Sequence, residues 1–559
     1  MPKFIFVTGG VLSGIGKGHT TASIAKLLQF RGYEVDLVKI DPYLNVDPGT
    51  LNPVEHGEPF ITDQIFEFNP APSFRYITAE VDQDFGTYER FIGRAIHPRN
   101  NITSGQIYLS VILQERLGKF LGKTVQIIPH ITDEIKRRLV EIAKAGKRER
   151  NKLDVIMVEI GGTVGDIEAD PFLEAIRQFR LEQGSGNTLL VHVTLVPLLA
   201  TVGEMKTKPT QHSVKQLLSR GLQPDIIIAR SESALTKESR RKIALYSNVL
   251  PEAVISNPDL KEIYELPLKF YEQGLDAIIL QQLEMIAHPP TGMQNWEEVV
   301  NRFLHPTENV RIAMPGKYVA MADTYVSIYE SLRHAGAHLG AATTIEMVDA
   351  EQLEQSNDAK DQLLKYDGIL LTPGFGTRGT EGMIRSAWIA VEEDLPYLGI
   401  CFGAQLLFVA LCRYGLGMKK ANSTELDPKT PYPVVDLLPE QREIEEKGGT
   451  MRLAGHPIRV LPKTKLHKIY KKSKIRERFR HRYHLMWEPA KRAQKEGLIV
   501  SATDLSGKII NAIELTNRYW VVGTQFHPEY TSRPDQPNPL YLAFIDAILK
   551  RKHAIGQGQ

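Results

Sequence analysis

The chain has 559 residues, 42% hydrophobic and 24% charged, and its 68 basic and 66 acidic residues leave a formal net charge of only +2. Such a length holds roughly three to four average domains or two large α/β ones, and near-neutrality gives no global field toward nucleic acid or acidic membranes. Two cysteines, Cys401 and Cys412, exclude a secreted disulfide scaffold, no apolar run is long enough to cross a bilayer, and the chain enters a strand at once without a signal sequence, so a cytoplasmic protein is expected.

Phe4 to Val7 reads as a short apolar strand that runs into Thr8-Gly9-Gly10-Val11-Leu12-Ser13-Gly14-Ile15-Gly16-Lys17-Gly18, with a helical pattern after it. A strand, a glycine-rich loop with a lysine and then a helix can cradle phosphate: backbone N–H groups face the anion and Lys17 adds a point charge. The loop is not a strict Walker A sequence, since five residues separate Gly10 from Gly16 and Gly18 stands where Ser or Thr is usual. An ordinary βα turn is the plainer reading of the loop taken alone. The strand Val35 to Ile40 brings a second lysine, Lys39, to a strand's C-terminal end, where doubly wound sheets place ligands. Glu55-His56-Gly57-Glu58 and Glu80-Val81-Asp82-Gln83-Asp84 offer carboxylates to a hard cation, or are merely solvated. Between them Gln64 to Ala79, with Pro70-Ala71-Pro72, reads as a surface loop suited to a subunit contact. Glu159 interrupts the apolar strand Leu153 to Ile160, and a carboxylate buried there needs a partner or a metal. After the strand Leu190 to Val196, Lys206, Thr207, Lys208 and Gln211 form a loop that suits a polyphosphate or is a solvated basic turn.

Patterning weakens at Ala287-His288-Pro289-Pro290-Thr291-Gly292, which divides the chain into residues 1–285, a linker 286–307, residues 308–550 and a frayed tail 551–559. The second half opens with the strand Val310 to Met314, followed by Gly316-Lys317-Tyr318, and Ile369 to Leu371 leads to Thr372-Pro373-Gly374-Phe375-Gly376. The strand Leu395 to Ile400 then meets Cys401, flanked by small residues, with a helical pattern from Gln405. A nucleophile on such a turn stands clear of the sheet, beside backbone N–H groups that can hold an oxyanion. A lone cysteine on an apolar strand is usually core filling. Gln525-Phe526-His527-Pro528-Glu529 downstream supplies a base and its orienter, which makes Cys401 the candidate nucleophile. The basic run Lys465 to Arg482, interleaved with aromatics, reads as an RNA-facing or a solvated surface.

Cys401, His527 and Glu529 in this setting resemble the triad of class I glutamine amidotransferases, which implies hydrolysis of glutamine to glutamate and ammonia and a separate acceptor domain. The blocks Asp41 to Thr50, Glu159 to Glu168 and Lys206 to Ser213, with almost the whole chain, resemble the CTP synthase family. That resemblance implies an α/β protein: a P-loop or Rossmann-like nucleotide-binding synthase domain, then a flavodoxin-like class I glutaminase domain. It implies that ATP meets Ser13, Gly14, Ile15, Gly16, Lys17, Gly18, Lys39 and Asp84, with Lys17 catalytic, and that Asp84 and Glu159 hold Mg2+. UTP, or CTP as feedback inhibitor, would meet Ser13, Asp166, Ile167, Glu168, Lys206, Thr207, Lys208, Gln211 and Lys242. Glutamine would meet Gly374, Phe402, Gln405, Glu425 and Arg482, the last pairing with its α-carboxylate. ATP would phosphorylate uracil O4 and ammonia would displace phosphate at C4. GTP would be an allosteric activator, the enzyme a homotetramer built as a dimer of dimers and compatible with filaments, and neither nucleic acid nor membrane a partner.

The sequence departs from the family pattern at several points. Gln64 to Ala79 is longer, Pro59 stands where an aliphatic residue is usual, and Thr372-Pro373-Gly374 replaces Pro-Gly-Gly. Phe402 and Ala404 replace Leu and Met, and His484 replaces a glutamate, which bears on the GTP response. An amidoligase with a carboxylate acceptor is the nearest rival, against which the lysine-rich Lys206 to Ser213 loop argues. An assembly protein that has lost catalysis is another, against which Cys401, His527, Glu529, Lys17 and Glu159 all argue.

Overall fold

The computed structural model describes residues 1–72, 74–150, 152–199, 203–317, 322–441 and 451–556. The chain forms two compact units, one of residues 1–50, 66–76 and 81–304 and one of residues 51–65, 77–80 and 305–559.

The strands of the N-terminal region are β1 (Lys3–Gly9), β2 (Val35–Asp41), β3 (Phe60–Ala71), β4 (Phe74–Val81), β5 (Asn101–Thr103), β6 (Val155–Ile160), β7 (Thr188–Leu195), the short pair β8 (Leu198–Leu199) and β9 (Glu204–Met205), β10 (Ile226–Ser231) and β11 (Val254–Pro258). Seven of them make one parallel sheet in the order β11-β10-β7-β1-β6-β2-β5. Both faces of its centre are covered, which is why β2 and β6 are buried along their whole length and β6 reads as an apolar run, broken only by Glu159, rather than an alternating one. In register, Glu159 of β6 lies opposite Lys39 of β2 on one side and Val7 of β1 on the other. The ends of three strands therefore converge where a ligand site belongs in an open α/β sheet.

Two expectations change here. Gln64 to Ala79 is no loop: its described residues lie in the two-stranded hairpin β3–β4. Aromatic residues in β3 outweigh the proline signal, and Phe66 and Phe68 lie 5.5 and 5.2 Å from the Arg138 guanidinium. The linker 286–307 contains the helix Met293–Leu304. Trp296 on that helix is 3% exposed, donates to the carbonyl of Tyr264 at 2.8 Å and lies 4.4 Å beneath the Lys26 ammonium, so this stretch is docked on the first unit.

The second region adds β12 (Glu308–Gly316), β13 (Ala341–Asp349), β14 (Gly368–Leu371), β15 (Tyr397–Ile400), β16 (Ala421–Ser423), β17 (Tyr432–Leu437), β18 (Arg452–Val460), β19 (Lys474–His481), β20 (Tyr483–Leu485), β21 (Leu498–Asp504), β22 (Ile510–Leu515) and β23 (Val521–Thr524). Its main sheet runs β13-β12-β14-β15-β23-β22-β21-β18-β19. The first five strands are parallel and the rest antiparallel. One core gathers Met383, Ile384, Leu406 and Leu407, and a separate core gathers Ile328, Leu332, Tyr541 and Phe544. The expected tail is also corrected: residues 551–556 continue the helix Pro539–Gly556, whose apolar residues Leu540, Tyr541, Phe544 and Ile548 are buried, while 557–559 lie outside the described residues.

Candidate active sites

In the first unit the loop after β1 ends at Gly16, which caps the helix Lys17–Phe30 with a left-handed φ of 88°. Lys17 is therefore the first helical residue, and its Nζ donates to the carbonyl of Gly162 at 2.7 Å. Gly18 has a steric reason to be glycine. A Cβ there would stand 2.4 Å from Asp84 Oδ1, so Ser or Thr would have to push that carboxylate out of its place beside Lys39. Lys39 Nζ donates to Glu159 Oε1 at 2.8 Å, hydrogen-bonds Asp84 and lies 3.9 Å from Asp82 Oδ1. The hydroxyl of Tyr88 donates to the other oxygen of Glu159.

Lys17, Lys39, Asp41 and Glu159 are buried, with Asp82 and Asp84 half-buried beside them, and burial and mutual charge push their proton affinities in opposing directions. Burial lowers the Lys17 ammonium. Burial would also lower Lys39, but the carboxylates of Asp84 and Glu159 hold it well above its ordinary value. Burial raises Glu159 and Asp41, and burial with the nearby Asp41 charge raises Asp82 far more. Asp84 moves down, since Lys39 outweighs its burial. The cluster holds more carboxylates than ammonium groups, which suits an added cation. Among the described residues no three His, Cys, Asp or Glu form a ready metal cage. Two carboxylates, Asp84 and Glu159, with phosphate and water completing the sphere, are nonetheless a usual donor set for Mg2+. The residues fit the ion.

Elsewhere in this unit Gln211 Nε2 donates to Thr207 Oγ1 at 3.0 Å, Lys206 pairs with Glu204 at 2.6 Å, and Asp166 accepts the Thr163 N–H at 3.1 Å. Ser13, Glu168, Lys208 and Lys242 are exposed, as is Ile167 at 83%, whereas Ile15 is buried. His192, a residue inside an apolar strand with no motif around it, bridges Thr8 Oγ1 at 2.9 Å and Ser213 Oγ at 2.7 Å. Burial and the charge of Lys17 push it down to about 3, so it is neutral.

In the second unit Cys401 follows β15 with φ 52° and ψ −101°, a strained conformation for a residue with a Cβ. The helix Phe402–Ala410 starts directly after it, three residues before the position the periodicity indicated. Gly403 allows that tight start, because a Cβ there would meet the Leu371 carbonyl at 2.3 Å. β15 pairs with β23, so Cys401 and His527 leave neighbouring strand ends. His527 Nδ1 lies 2.6 Å from Glu529 Oε1, and its ring stacks on Tyr530 at 5.3 Å. The buried His527 Nε2 has no hydrogen-bond partner among the described residues. Burial opposes protonation of His527, but Glu529 and Cys401 raise it to about 10. Gln525 Nε2 donates toward Cys401 Sγ at 3.6 Å, and the thiol lies 3.6 Å from the Arg480 carbonyl.

Of the glutamine candidates, Gln405 reaches this centre through Gln525. Gln405 Nε2 donates to the Tyr483 carbonyl at 3.1 Å and to Gln525 Oε1 at 3.2 Å. Glu425 Oε1 accepts the Gly376 N–H at 2.9 Å, and burial raises its pKa. Arg482 donates to Gln441 Oε1 at 2.8 Å, and a Cβ on Gly374 would be 3.8 Å from the Phe402 ring. Gln525, Lys317 and Glu477 belong to the surroundings of the site and were missed. Gln525 lies two residues before His527 and Lys317 directly after a strand, local signals that carry no role by themselves.

A cysteine elbow with a His–Glu pair, joined to a unit that gathers lysines and carboxylates at strand ends, defines a glutamine amidotransferase coupled to a nucleotide-binding domain. The family model described as glutamine amidotransferase class-I matches residues 320–547, and the one described as CTP synthase N-terminus matches residues 3–285. A CTP synthase of Carboxydothermus hydrogenoformans is 48% identical over 98% of this chain and 99% of its own. One of Thermus thermophilus is 48% identical over 98% of this chain and 97% of its own. A solved glutaminase domain of Trypanosoma brucei CTPS with bound acivicin is 34% identical, covering 43% of this chain and 94% of that one with a TM-score of 0.40. The chain belongs to the CTP synthase family. Among the described residues no helix is long and apolar enough to cross a membrane.

Proposed function

We infer that the protein is a ligase that aminates UTP to CTP with ATP and glutamine, for pyrimidine nucleotide synthesis. The observation that carries the reading is the strained Cys401 elbow beside a His527 whose Nδ1 is held by Glu529. The thiol proton rests on His527, whose pKa Glu529 and Cys401 raise to about 10, and the sulfur attacks the glutamine amide carbon. The oxyanion is held by N–H groups at Gly374 and Phe402, and His527 returns a proton to the leaving ammonia. Water then releases glutamate from the thioester. Phe402, Gln405, Glu425 and Arg482 hold the substrate, with Arg482 on its α-carboxylate.

In the synthase domain, residues 1–285, Ser13 to Gly18 with Lys39 and Asp84 hold ATP. Ser13, Asp166, Ile167, Glu168, Lys206, Thr207, Lys208, Gln211 and Lys242 hold UTP or inhibitory CTP. Asp84 and Glu159 would hold Mg2+, which neutralises phosphate charge when bound. Lys17 steadies the γ-phosphoryl group as it moves to uracil O4 and ADP departs. Ammonia attacks C4, phosphate leaves, and a proton is lost. GTP activation, CTP feedback, a homotetramer with exposed UTP residues completed by its neighbours, and a cytoplasmic location complete the reading.

The test is CTP formation from UTP, ATP and Mg2+ with glutamine or ammonium, each with and without GTP. CTP from both nitrogen sources, with GTP helping only glutamine, is expected. Cys401→Ala abolishes the glutamine reaction and spares the ammonium one, and Lys17→Ala abolishes both. Glutamine hydrolysis without CTP would point to a different acceptor.

A further inference from the structure

We propose that Lys317 is a positioning residue for glutamine hydrolysis, one that fixes the peptide between Phe375 and Gly376 in a single orientation. This rests on reading Cys401 as the nucleophile and the Gly374 loop as an oxyanion donor. Lys317 follows β12, and its Nζ donates to the carbonyls of Phe375 and Gly376 at 2.7 and 2.5 Å. In a trans peptide the carbonyl and the following N–H point to opposite edges. Here the Phe375 carbonyl is held by Lys317 and the Gly376 N–H by Glu425 at 2.9 Å, so one peptide unit is gripped on both edges.

The grip is reciprocal. Arg378, from the same loop, donates to the Lys317 carbonyl at 2.6 Å, and Thr380 Oγ1 also donates to the Gly376 carbonyl at 3.1 Å. The ammonium lies 5.0 Å from the centre of the Phe402 ring, whose residue follows the nucleophile. Gly376 is left-handed at φ 78° and has no Cβ to resist rotation of its flanking peptides. Without Lys317, the segment beside Gly374 is free to present a carbonyl where an N–H is needed. Burial and Arg378 lower the Lys317 ammonium while Glu425 supports it, to about 8, so the grip weakens within a measurable pH range.

The test compares the full-length enzyme with Lys317→Met and Lys317→Arg, measuring kcat and KM for glutamine hydrolysis, the rate of Cys401 alkylation by iodoacetamide and the pH profile. Lys317→Met should lower kcat by about tenfold to a hundredfold with KM nearly constant. Alkylation should be unchanged, because the thiol itself is untouched, and Lys317→Arg should recover most of kcat. The wild-type kcat should fall through about pH 8, a limb absent in Lys317→Met. An unchanged kcat, or a higher KM alone, would overturn the proposal, the latter making Lys317 a glutamine ligand instead. If Lys317→Met does not fold, absence of the wild-type limb near pH 8, or its persistence in Lys317→Arg, overturns it. Hydrolysis that survives alkylation of Cys401 would overturn the nucleophile assignment and the proposal with it.

Discussion

Glu477 Oε2 accepts the hydroxyl of Thr531 at 3.0 Å, so a carboxyl group on β19 holds the turn Pro528–Thr531, which follows His527 and contains Glu529. Its other oxygen accepts Tyr470 at 2.8 Å and Asn538 at 3.0 Å. Burial raises Glu477 to about 7 against an ordinary 4.5. The folded state therefore keeps a proton that the unfolded chain loses, and stability falls as pH rises from about 4.5 to 7, then levels. A shift of that size corresponds to about 3 kcal/mol. Glu477→Gln should flatten the dependence of urea midpoint on pH over that window. A slope equal to wild type would show that Glu477 is not its source.

His527 owes its high pKa to Glu529 and Cys401, against its burial. Glu529→Gln should bring it down and lower glutamine turnover by about a hundredfold or more. Cys401→Ala should lower the same pKa while leaving Glu529 in place. Titration of the His527 ring by NMR reads both variants directly, and a value still near 10 in either one contradicts the assignment.

Lys39 is the counter-charge for Glu159 and Asp84, and removing one partner of a buried pair leaves the other unpaid by water. Lys39→Met should destabilise the protein by about 3–5 kcal/mol in urea titration. Added Mg2+ should recover more stability in this variant than in wild type, because the ion substitutes for the missing charge. Equal Mg2+ responses would argue against Asp84 and Glu159 as its ligands.

Trp296 lies in the segment that composition marked as a connector. Trp296→Ala should cost about 3–5 kcal/mol, as for a core residue. A loss within 0.5 kcal/mol, the range of a surface position, would restore the linker reading.

The stretches that carry the two candidate centres stand out in the sequence because their signals are local. A glycine loop with Lys17, a carboxylate inside an apolar strand at Glu159, and a cysteine elbow each declare themselves within about ten residues. The parallel sheets were legible for the same reason, as apolar strands buried on both faces. Partners set by tertiary contact were not. Lys317 reaches Phe375 across 58 positions and Glu477 reaches Thr531 across 54, and no spacing rule connects them. The hairpin β3–β4 was hidden by its prolines, and the helix Met293–Leu304 by the proline-glycine break just before it, which caps an element rather than ending structure.

Residues 51–65 and 77–80 belong to the second unit although they are made with the first. Arg478 donates to the Ile61 carbonyl at 2.7 Å, Arg480 pairs with Glu80 at 2.7 Å, and Phe60 meets the Tyr530 ring at 5.1 Å. During synthesis these early residues must wait for about 400 more before their partners exist. A gene split at residue 305 would yield a C-terminal product in which the buried Arg478 and the half-buried Arg480 each lose an acceptor, next to the candidate base His527.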